Sequence, residues 1–179
     1  MTSNDKELLN AIKADLESGF RQMMRCYQQQ VYWHIRRMVV SHDDAQDGTQ
    51  ETFIRIYNSL AQFRADSSLR SWIYRIATNE ALRIISRRRQ EEVSIDSDET
   101  GVELIAVDDY VDTSDQLALK LQRAILTLPP KQQLAFNLRY YDEMEFEEIA
   151  HVADSTATSI KASYHVAKQK IINYMNSHD

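Results

Sequence analysis

Only three glycines and two prolines interrupt the 179 residues of this chain. Glycine and proline break regular helices and build the tight turns on which all-β folds depend. Leu, Ile, Ala, Arg, Gln and Glu, which are abundant here, are tolerated well in helices. The composition therefore predicts an all-α fold with long helices.

The cysteine count and the hydropathy pattern bound the cellular context. Cys26 is the single cysteine, so no internal disulfide can form. No apolar run approaches the roughly 20 residues of a membrane-spanning helix. The N-terminus interleaves polar and acidic residues, unlike a secretory signal. We expect a cytoplasmic protein without membrane insertion.

The net charge of −6 is distributed unevenly along the chain. Residues 1–90 carry 14 Lys and Arg against 10 Asp and Glu, residues 91–114 carry none against 9, and residues 115–179 carry 7 against 8. Most of the acidity thus belongs to one short segment. The overall charge therefore does not exclude a nucleic-acid partner.

The acidic segment also indicates how the chain is organised. Residues 91–112 lack Lys and Arg and show no sustained helical period, which predicts a solvated linker, although its few apolar residues could dock on a surface. Two small helical domains would flank it. We place the first at 1–90, the acidic linker at 91–112, and the second at 113–179.

Apolar residues at helical spacing predict three long helices in the first domain. One lies around Phe20 to Val39, the next begins at a cap on Ser41 or Asp43, and the third extends from Leu69 to Arg89. Their inner faces comprise Met23, Met24, Tyr27, Val31, Ile35, Met38, Val39, Ala45, Thr49, Phe53, Ile56, Leu60, Leu69, Trp72, Ile73, Ile76 and Ile84.

Two polar surfaces in this domain are candidate binding sites. An acidic and amide patch on the second helix could dock a basic partner, although such patches are usually only solvated; it comprises Asp44, Asp47, Gln50 and Glu51. The third helix carries a stripe that suits phosphates and unstacked bases, with Trp72 and Tyr74 near its start; it comprises Arg75, Asn79, Arg83 and Arg87. The alternative for the stripe is a solvated basic face beside a buried Trp.

The second domain contains a helix-turn-helix spacing. Thr113 and Gln116 form a capping box before a helix with Leu117, Leu121, Ile125 and Leu128 inward. Pro130 can start the next helix, with Leu134, Ala135, Leu138 and Tyr141 inward. Two helices, about Phe146–Val152 and Thr156–Tyr174, then pack through Ile149, Ala150 and Ile160. The last of these helices is predicted to present six residues to a DNA major groove, namely Thr156, Thr158, Ser159, Lys161, Ala162 and His165. The alternative for this stretch is an ordinary helical hairpin without a DNA-binding role.

No catalytic, metal or cofactor site is predicted. Cys26 lies on an apolar helical face with no His or Asp neighbour implied by the sequence, which indicates a buried structural thiol. The five histidines show no metal-ligand spacing. Phosphate-binding and nucleophile-elbow motifs are also absent from the sequence.

Three runs in this order resemble the extracytoplasmic function group of RNA polymerase sigma factors. They are DDAQDGTQETFIRIYNSL, RSWIYRIATNEALRIISRRR and LPPKQQLAFNLRYYDEMEFEEIAHVADSTATSIKASYHVAKQKI. The likeness covers nearly the whole chain. It implies a sigma-2-like domain of three or four helices, a sigma-4-like helix-turn-helix domain, and promoter recognition, DNA melting and transcription initiation with bacterial core RNA polymerase.

The resemblance also implies roles for the candidate residues. Asp44, Asp47, Gln50 and Glu51 would bind the clamp helices of the largest polymerase subunit, and the polymerase flap would be a further partner. The minus-ten element would be held by Arg64, Arg70, Trp72, Arg75, Asn79, Arg83 and Arg87, with the loop from Arg64 to Arg70 receiving a flipped base. The minus-thirty-five element would be contacted by Thr156, Thr158, Ser159, Lys161, Ala162, His165 and Lys168. An anti-sigma factor is a further expected partner.

Three positions depart from the family pattern. The family usually has an aliphatic residue in place of Gly48, glycine at Asp154, and arginine at Ser163, so one upstream DNA contact is missing. Tyr164, His165 and Lys168 are candidates to compensate. Two other function classes stay open: a stand-alone helix-turn-helix regulator that binds duplex DNA as a dimer, and a helical scaffold or enzyme without a nucleic-acid role.

Overall fold

A computed structural model describes residues 3–63, 67–94 and 116–177 of the chain. These ranges contain eight α-helices, one 3₁₀ turn and no strand, so the all-α prediction is confirmed. The chain divides into two compact units, Met1–Arg88 and Arg89–Asp179. Each unit is described separately below.

The first unit is built from four helices. They are α1 (Ser3–Ala14), α2 (Leu16–Val39), α3 (His42–Ser59) and α4 (Leu69–Ser94), with a 3₁₀ turn at Leu60–Gln62 after α3. Helix α4 ends at Ser94, so its last turn occupies residues that the sequence analysis gave to the linker. The rest of the predicted linker, the predicted cap at Thr113, and Arg64 in the predicted loop lie outside the described residues.

The separate helix α1 was not predicted from the sequence. It packs against α2 where Gly19 is buried, because a Cβ atom at that position would collide with the backbone of Ala11 and Ile12. The hydroxyl of Tyr27 in α2 donates a hydrogen bond to Asp5 of α1, at 3.2 Å. Contacts along both ends of α1 therefore hold it on α2.

The predicted inner faces of the three long helices form the core of this unit. Met23, Val31 and Ile35 of α2 are completely buried, as are Ala45 and Ile56 of α3. Leu69, Ile73 and Ile84 of α4 complete the core, whereas Phe20, Met24, Trp72 and Ile76 are half-buried at its margin. The prediction of a buried Cys26 is wrong, because this residue lies on the exposed side of α2. The cap of α3 is Ser41, whose hydroxyl accepts a hydrogen bond from the Asp44 amide at 3.3 Å.

Gly48 is a point of tight packing between α3 and side chains of α2 and α4. It is buried in the middle of α3, and a Cβ atom there would lie 2.9 Å from Cδ1 of Ile84 and 3.3 Å from Cγ2 of Ile35. Glycine costs a helix interior roughly 1 kcal/mol relative to alanine. Close packing of three helices at this point offsets that cost.

A buried histidine links α2 to α4. The His34 ring is fully buried, and its Nε2 lies 2.8 Å from the hydroxyl oxygen of Thr78. Burial, with a smaller contribution from the charge of Arg37, lowers the pKa of His34 to about 3. The imidazole is therefore neutral in the folded protein at neutral pH.

The second unit also contains four described helices. They are α5 (Gln116–Leu126), α6 (Pro130–Tyr140), α7 (Phe146–Ala153) and α8 (Ala157–Ser177). Helix α6 begins at Pro130, as the proline pair predicts. The core of the second unit includes a cluster of buried residues, namely Ala124, Ile125, Leu128, Phe136, Ala167 and Ile171.

Two inward assignments in this unit are wrong. Leu117 lies on the correct side of α5 but is 67% exposed. Lys120 donates a hydrogen bond to the carbonyl of Met175, which lies near the end of α8. Leu117 lies one turn before Lys120 in α5, so it extends beyond the end of α8 and is not covered by that helix. Tyr141, which follows the last residue of α6, is 38% exposed and packs edge-on against Tyr140.

The predicted helix-turn-helix contacts are present. Ile149 and Ile160 are completely buried, and Ala150 is buried with 8% exposure, which allows α7 and α8 to approach closely. Asp154 ends α7 in the left-handed conformation, with φ 50° and ψ 53°. Aspartate tolerates this conformation better than most residues, so the turn forms without the glycine that the family pattern has there.

Substituting Gly48 tests the close packing of α3. We expect Gly48→Ala to lower the free energy of unfolding by about 1 kcal/mol, because overpacking outweighs the gain in helix propensity. In an Ile84→Val background, which lacks Cδ1, the same change should be neutral or stabilising. Tryptophan fluorescence during urea unfolding reports on this unit alone, since both tryptophans, Trp33 and Trp72, belong to it. Equal stabilisation by alanine in both backgrounds would contradict the close contact.

The His34 pKa predicts how the stability of the first unit depends on pH. The pKa is lower in the folded protein than the ordinary value of 6.5, so stability is fully present above pH 6.5 and declines as pH falls toward 3. Between pH 7 and pH 5 we expect a loss of about 2 kcal/mol from this group. His34→Gln should remove most of that loss, and the control His42→Gln, at an exposed position of the same unit, should not. An unchanged pH dependence in His34→Gln would refute the assignment.

Candidate functional site

The polar patch of α3 contains two exposed and two engaged residues. Asp47 and Gln50 are exposed on the outer side of α3. Glu51 is half-buried and pairs with Arg55, at 3.1 Å between Oε1 and Nε. Asp44 is ion-paired with Arg88. We call these four residues the α3 acidic surface, and its outward charge comes from Asp47.

Arg88 joins three helices at one edge of the unit. Besides its ion pair with Asp44 in the first turn of α3, its Nη1 donates a hydrogen bond to the carbonyl of Val39, at 2.9 Å. Val39 is the last residue of α2. Nothing in the sequence indicated this role for Arg88, whose side chain ties the α2–α3 junction to the last part of α4.

The predicted basic stripe of α4 lies on the surface. Four side chains at intervals of four residues are exposed, namely Arg75, Asn79, Arg83 and Arg87. We call these residues the α4 stripe. Helical spacing places them along one side, while Ile73, Ala77 and Ile84 are buried on the other. The arrangement can contact several successive groups of a nucleic-acid strand.

Arg83 is held by a buried carboxylate that sequence reasoning missed. Glu80 is 2% exposed, and it accepts hydrogen bonds from Nε of Arg83 to both oxygens, at 3.0 and 3.1 Å. Hydrogen bonding to Glu80 raises the pKa of the Arg83 guanidinium. Arg55 of α3 approaches the same carboxylate, at 3.2 Å from Nε to Oε2. The acidic residue three positions before Arg83 was a visible signal.

The aromatic residues at the start of α4 have different environments. Trp72 is half-buried against Phe63, with ring centroids 5.2 Å apart. Tyr74 is completely buried beside His34, so its prediction as a residue near a nucleic-acid groove is wrong. The small residues Ala77 and Ala81 on the same side of α4 were the signal for that burial. Arg70 is half-buried, and its guanidinium carbon lies 5.6 Å from the centre of the Tyr74 ring.

Helix α8 presents the predicted major-groove residues on its outer side. Exposed positions are Thr156, Thr158, Lys161, Ala162, His165 and Lys168. Thr156 also caps the helix, since its hydroxyl accepts a hydrogen bond from the Ser159 amide at 3.2 Å. The surface is polar, contains a small residue, and carries positive charge, as a duplex reader requires.

Lys131 is an additional residue at this surface. It is exposed in the first turn of α6, and its Nζ donates a hydrogen bond to the Ser159 hydroxyl, at 2.9 Å. A lysine beside the first turn of α8 adds positive charge where a phosphate would approach. Tyr164, in contrast, is half-buried against Phe136 and Phe146, with ring centroids 6.0 and 5.6 Å away. Its ring therefore supports the fold.

The described residues contain neither a candidate metal-binding cluster nor a membrane-spanning helix. No cluster of three or more His, Cys, Asp or Glu side chains in these ranges has an arrangement that could hold a metal ion. Among the same residues, no helix combines the length and apolar character needed to cross a membrane.

Comparison with known proteins identifies the family. The model "Sigma-70 region 2" matches residues 23–91, and "Sigma-70, region 4" matches residues 118–171. The ECF RNA polymerase sigma-E factor of Salmonella typhimurium is 30% identical over 178 residues, covering 94% of this chain and 93% of the relative. The chain belongs to the ECF RNA polymerase sigma factors. It is an alternative sigma factor that directs promoter recognition and transcription initiation.

Other relatives agree with this assignment. The ECF sigma factor SigW of Bacillus subtilis is 27% identical, covering 93% of this sigma factor and 94% of the relative. The fold matches the sigma factor RpoE of Bartonella quintana, solved with the anti-sigma factor NepR, with a TM-score of 0.69, 17% identity, and coverage of 89% and 98% of the two chains. It also matches CnrH, solved with the cytosolic domain of CnrY, with a TM-score of 0.72, 16% identity, and coverage of 98% and 99%.

Arg88 allows a test that separates structural charge from binding charge in this sigma factor. We expect Arg88→Ala to lower the free energy of unfolding of the first unit by roughly 1–2 kcal/mol, because the Val39 carbonyl and Asp44 lose a charged partner. The matched control is Arg89→Ala, since Arg89 is exposed and surface changes usually stay within about 0.5 kcal/mol. Urea unfolding followed by tryptophan fluorescence gives both values. Equal effects of the two substitutions would show that the Arg88 contacts contribute nothing.

Proposed function

We propose that the two units of this sigma factor divide promoter recognition between them. The first binds core RNA polymerase through the α3 acidic surface and holds the melted minus-ten strand along the α4 stripe. The second reads duplex DNA at the minus-thirty-five element with α8. The observation that carries the proposal is the separation of an exposed acidic surface on α3 from an exposed basic stripe on α4 within one small unit.

The polymerase contact is assigned mainly to Asp47 and Gln50. Both are exposed, whereas Asp44 and Glu51 are already engaged by Arg88 and Arg55. Charge complementarity guides protein association and sets its register, so the expected partner surface on the largest polymerase subunit is basic. The flap of the polymerase is proposed as a second contact, on the C-terminal unit.

The stripe and the neighbouring aromatic residues support binding to single-stranded DNA. Successive bases bind to proteins through stacking, and the strand backbone binds through positive charge. Trp72 and Arg70 lie at the start of α4. The loop from Arg64 to Arg70 is proposed to receive the flipped base. Along the stripe, Arg75 and Arg87 are proposed to contact backbone phosphates.

The upstream contact is proposed to be weak by itself. Helix α8 has Ser163, which is half-buried, where the family usually has arginine, and Tyr164 packs into the fold and cannot replace it. His165, Lys168 and Lys131 are the proposed compensating contacts. Two weak DNA-binding units mounted on one polymerase gain affinity through effective concentration.

The same proposal covers the partners and the location of the protein. Its work requires core polymerase and promoter DNA, which places it in the bacterial cytoplasm, and it acts as an initiation factor without its own catalytic site. An anti-sigma factor is proposed as a regulator, since the structural relatives RpoE and CnrH were solved with the partners NepR and CnrY.

Transcription reconstituted from core polymerase, the full chain and genomic fragments tests the polymerase contact. We expect the double variant Asp47→Arg, Gln50→Ala to bind core polymerase about tenfold or more weakly than wild type and to lose transcript yield accordingly. Its unfolding free energy should stay close to wild type because both residues are exposed.

The matched control is Glu17→Arg, which makes the same charge change on an exposed part of α2. It should leave core binding unchanged. Unchanged core binding by the double variant would contradict the assigned contact. A chain that shifts duplex DNA alone, and gives no transcript with core polymerase, would instead indicate a stand-alone regulator.

A further inference from the structure

Four charged side chains form a continuous network between α3 and α4. Glu51 pairs with Arg55 on α3, Arg55 reaches Glu80 on α4, and Glu80 pairs with Arg83. Two negative and two positive groups alternate, so the network is neutral as a whole. The network contains Glu51 of the α3 acidic surface and Arg83 of the α4 stripe.

Glu80 is the fixed point of the network. Its side chain is 2% exposed, whereas the side chains of Arg55 and Arg83 are 49% and 53% exposed. A buried carboxylate is strongly unfavourable unless it is paired and hydrogen-bonded. Both arginines satisfy it, and removing either one would leave a poorly compensated charge. The carboxylate therefore has little freedom to release Arg83.

The geometry of the pair determines which part of Arg83 is occupied. Nε of Arg83 lies 3.0 and 3.1 Å from the two carboxylate oxygens, and Nη2 lies 2.5 Å from Oε1. The Nε–Nη2 edge of the guanidinium is thus used within the protein. This is one of the two edges, each with a pair of parallel N–H groups, through which a guanidinium binds a phosphate in a bidentate manner; the other is the Nη1–Nη2 edge.

A phosphate and a base would meet this arrangement differently. A phosphate at Arg83 would approach a guanidinium whose charge is compensated and would be repelled by the Glu80 carboxylate. A base can lie on the flat face of the guanidinium, because stacking leaves the edge hydrogen bonds intact. With about half of the side chain exposed, Arg83 has room for such contact.

We propose that Glu80 is a positioning residue for promoter DNA, which anchors Arg83 by one edge so that its flat face stacks on a base of the melted strand. Arg55 of α3 supports the same arrangement indirectly, because it pairs with Glu80 and so holds the carboxylate that anchors Arg83. Of the other arginines of the α4 stripe, Arg75 and Arg87 are assigned to phosphates. The inference rests on the proposed binding of the minus-ten strand by the α4 stripe.

The test measures binding of reconstituted holoenzyme to a fork DNA at several KCl concentrations. The fork carries a single-stranded minus-ten segment from a promoter whose start site was mapped in the transcription assay. Wild type is compared with Arg83→Ala, Arg83→Lys, Glu80→Gln and the double variant Glu80→Gln, Arg83→Ala. Arg75→Ala serves as the phosphate-contact control from the same stripe.

Stacking predicts that Arg83→Lys fails as badly as Arg83→Ala, because lysine keeps the charge but lacks the planar face. Both should weaken binding about fivefold or more without changing the salt dependence. Arg75→Ala should reduce the slope of log affinity against log salt by about 0.7, the value for one single-strand phosphate. Glu80→Gln should steepen that slope by up to about 0.7, because the freed edge of Arg83 can then bind a phosphate. In the double variant Glu80→Gln, Arg83→Ala the slope should not steepen, because no guanidinium is present at position 83.

Fork binding by Arg83→Lys at wild-type strength would overturn the proposal, as would a reduced salt slope in Arg83→Ala. Either result would leave the proposed function intact, because wild-type holoenzyme would still bind the fork. Absence of fork binding by wild-type holoenzyme would overturn the proposed function and this inference with it. The Arg83→Lys comparison stays decisive even if Glu80→Gln misfolds, since the side chain at position 83 is exposed and lysine keeps a positive charge beside Glu80.

Discussion

The close approach of α3 to α2 and α4 at Gly48 is the constraint on which the first unit depends. Ile84 and Ile35 fill the space that a side chain at this position would occupy. The packing fixes the rotation of α3 about its axis. It therefore decides that Asp47 and Gln50 face outward and that Arg55 comes within hydrogen-bonding distance of Glu80 on α4.

The same packing explains how opposite charges coexist in a small unit. Acidic and basic surfaces on adjacent helices attract each other, and exposed pairs of this kind contribute little to stability. Here the charges nearest the helix contacts pair internally, as Asp44 does with Arg88 and Glu80 with Arg55 and Arg83. Asp47, on the outer side of α3, is exposed. An acidic protein can bind DNA in this way because its charges are sorted by position.

Much of the fold followed from local sequence rules. Helical periodicity identified the buried sides of α2, α3 and α4, the serine cap at Ser41 and the proline start at Pro130 were visible, and the exposed stripe was correctly located. Hydrophobic periodicity identifies which face of a helix is buried. It does not show how far along the helix the neighbouring helix covers that face. Leu117 and Tyr141 were therefore assigned inward, although both are exposed near helix ends.

What could not be predicted are contacts between residues distant in sequence. Tyr74 is buried because α4 packs against His34, which lies 40 positions earlier, and Arg88 reaches Val39 over a separation of 49. The pairing of Glu80 with Arg55 likewise requires the crossing of two helices. Sequence spacing had shown Asp44 as an exposed charge equivalent to Asp47, and only the tertiary packing distinguishes them.

Permanganate, which modifies unpaired thymines, can be used to probe strand separation at a target promoter. We expect reactive thymines near the minus-ten element only when core polymerase and this chain are present together. The double variant Asp47→Arg, Gln50→Ala should weaken the signal in proportion to its loss of core binding, without unfolding the chain. Protection of duplex DNA by the chain alone, with no unpaired thymines after core polymerase is added, would contradict the proposed function.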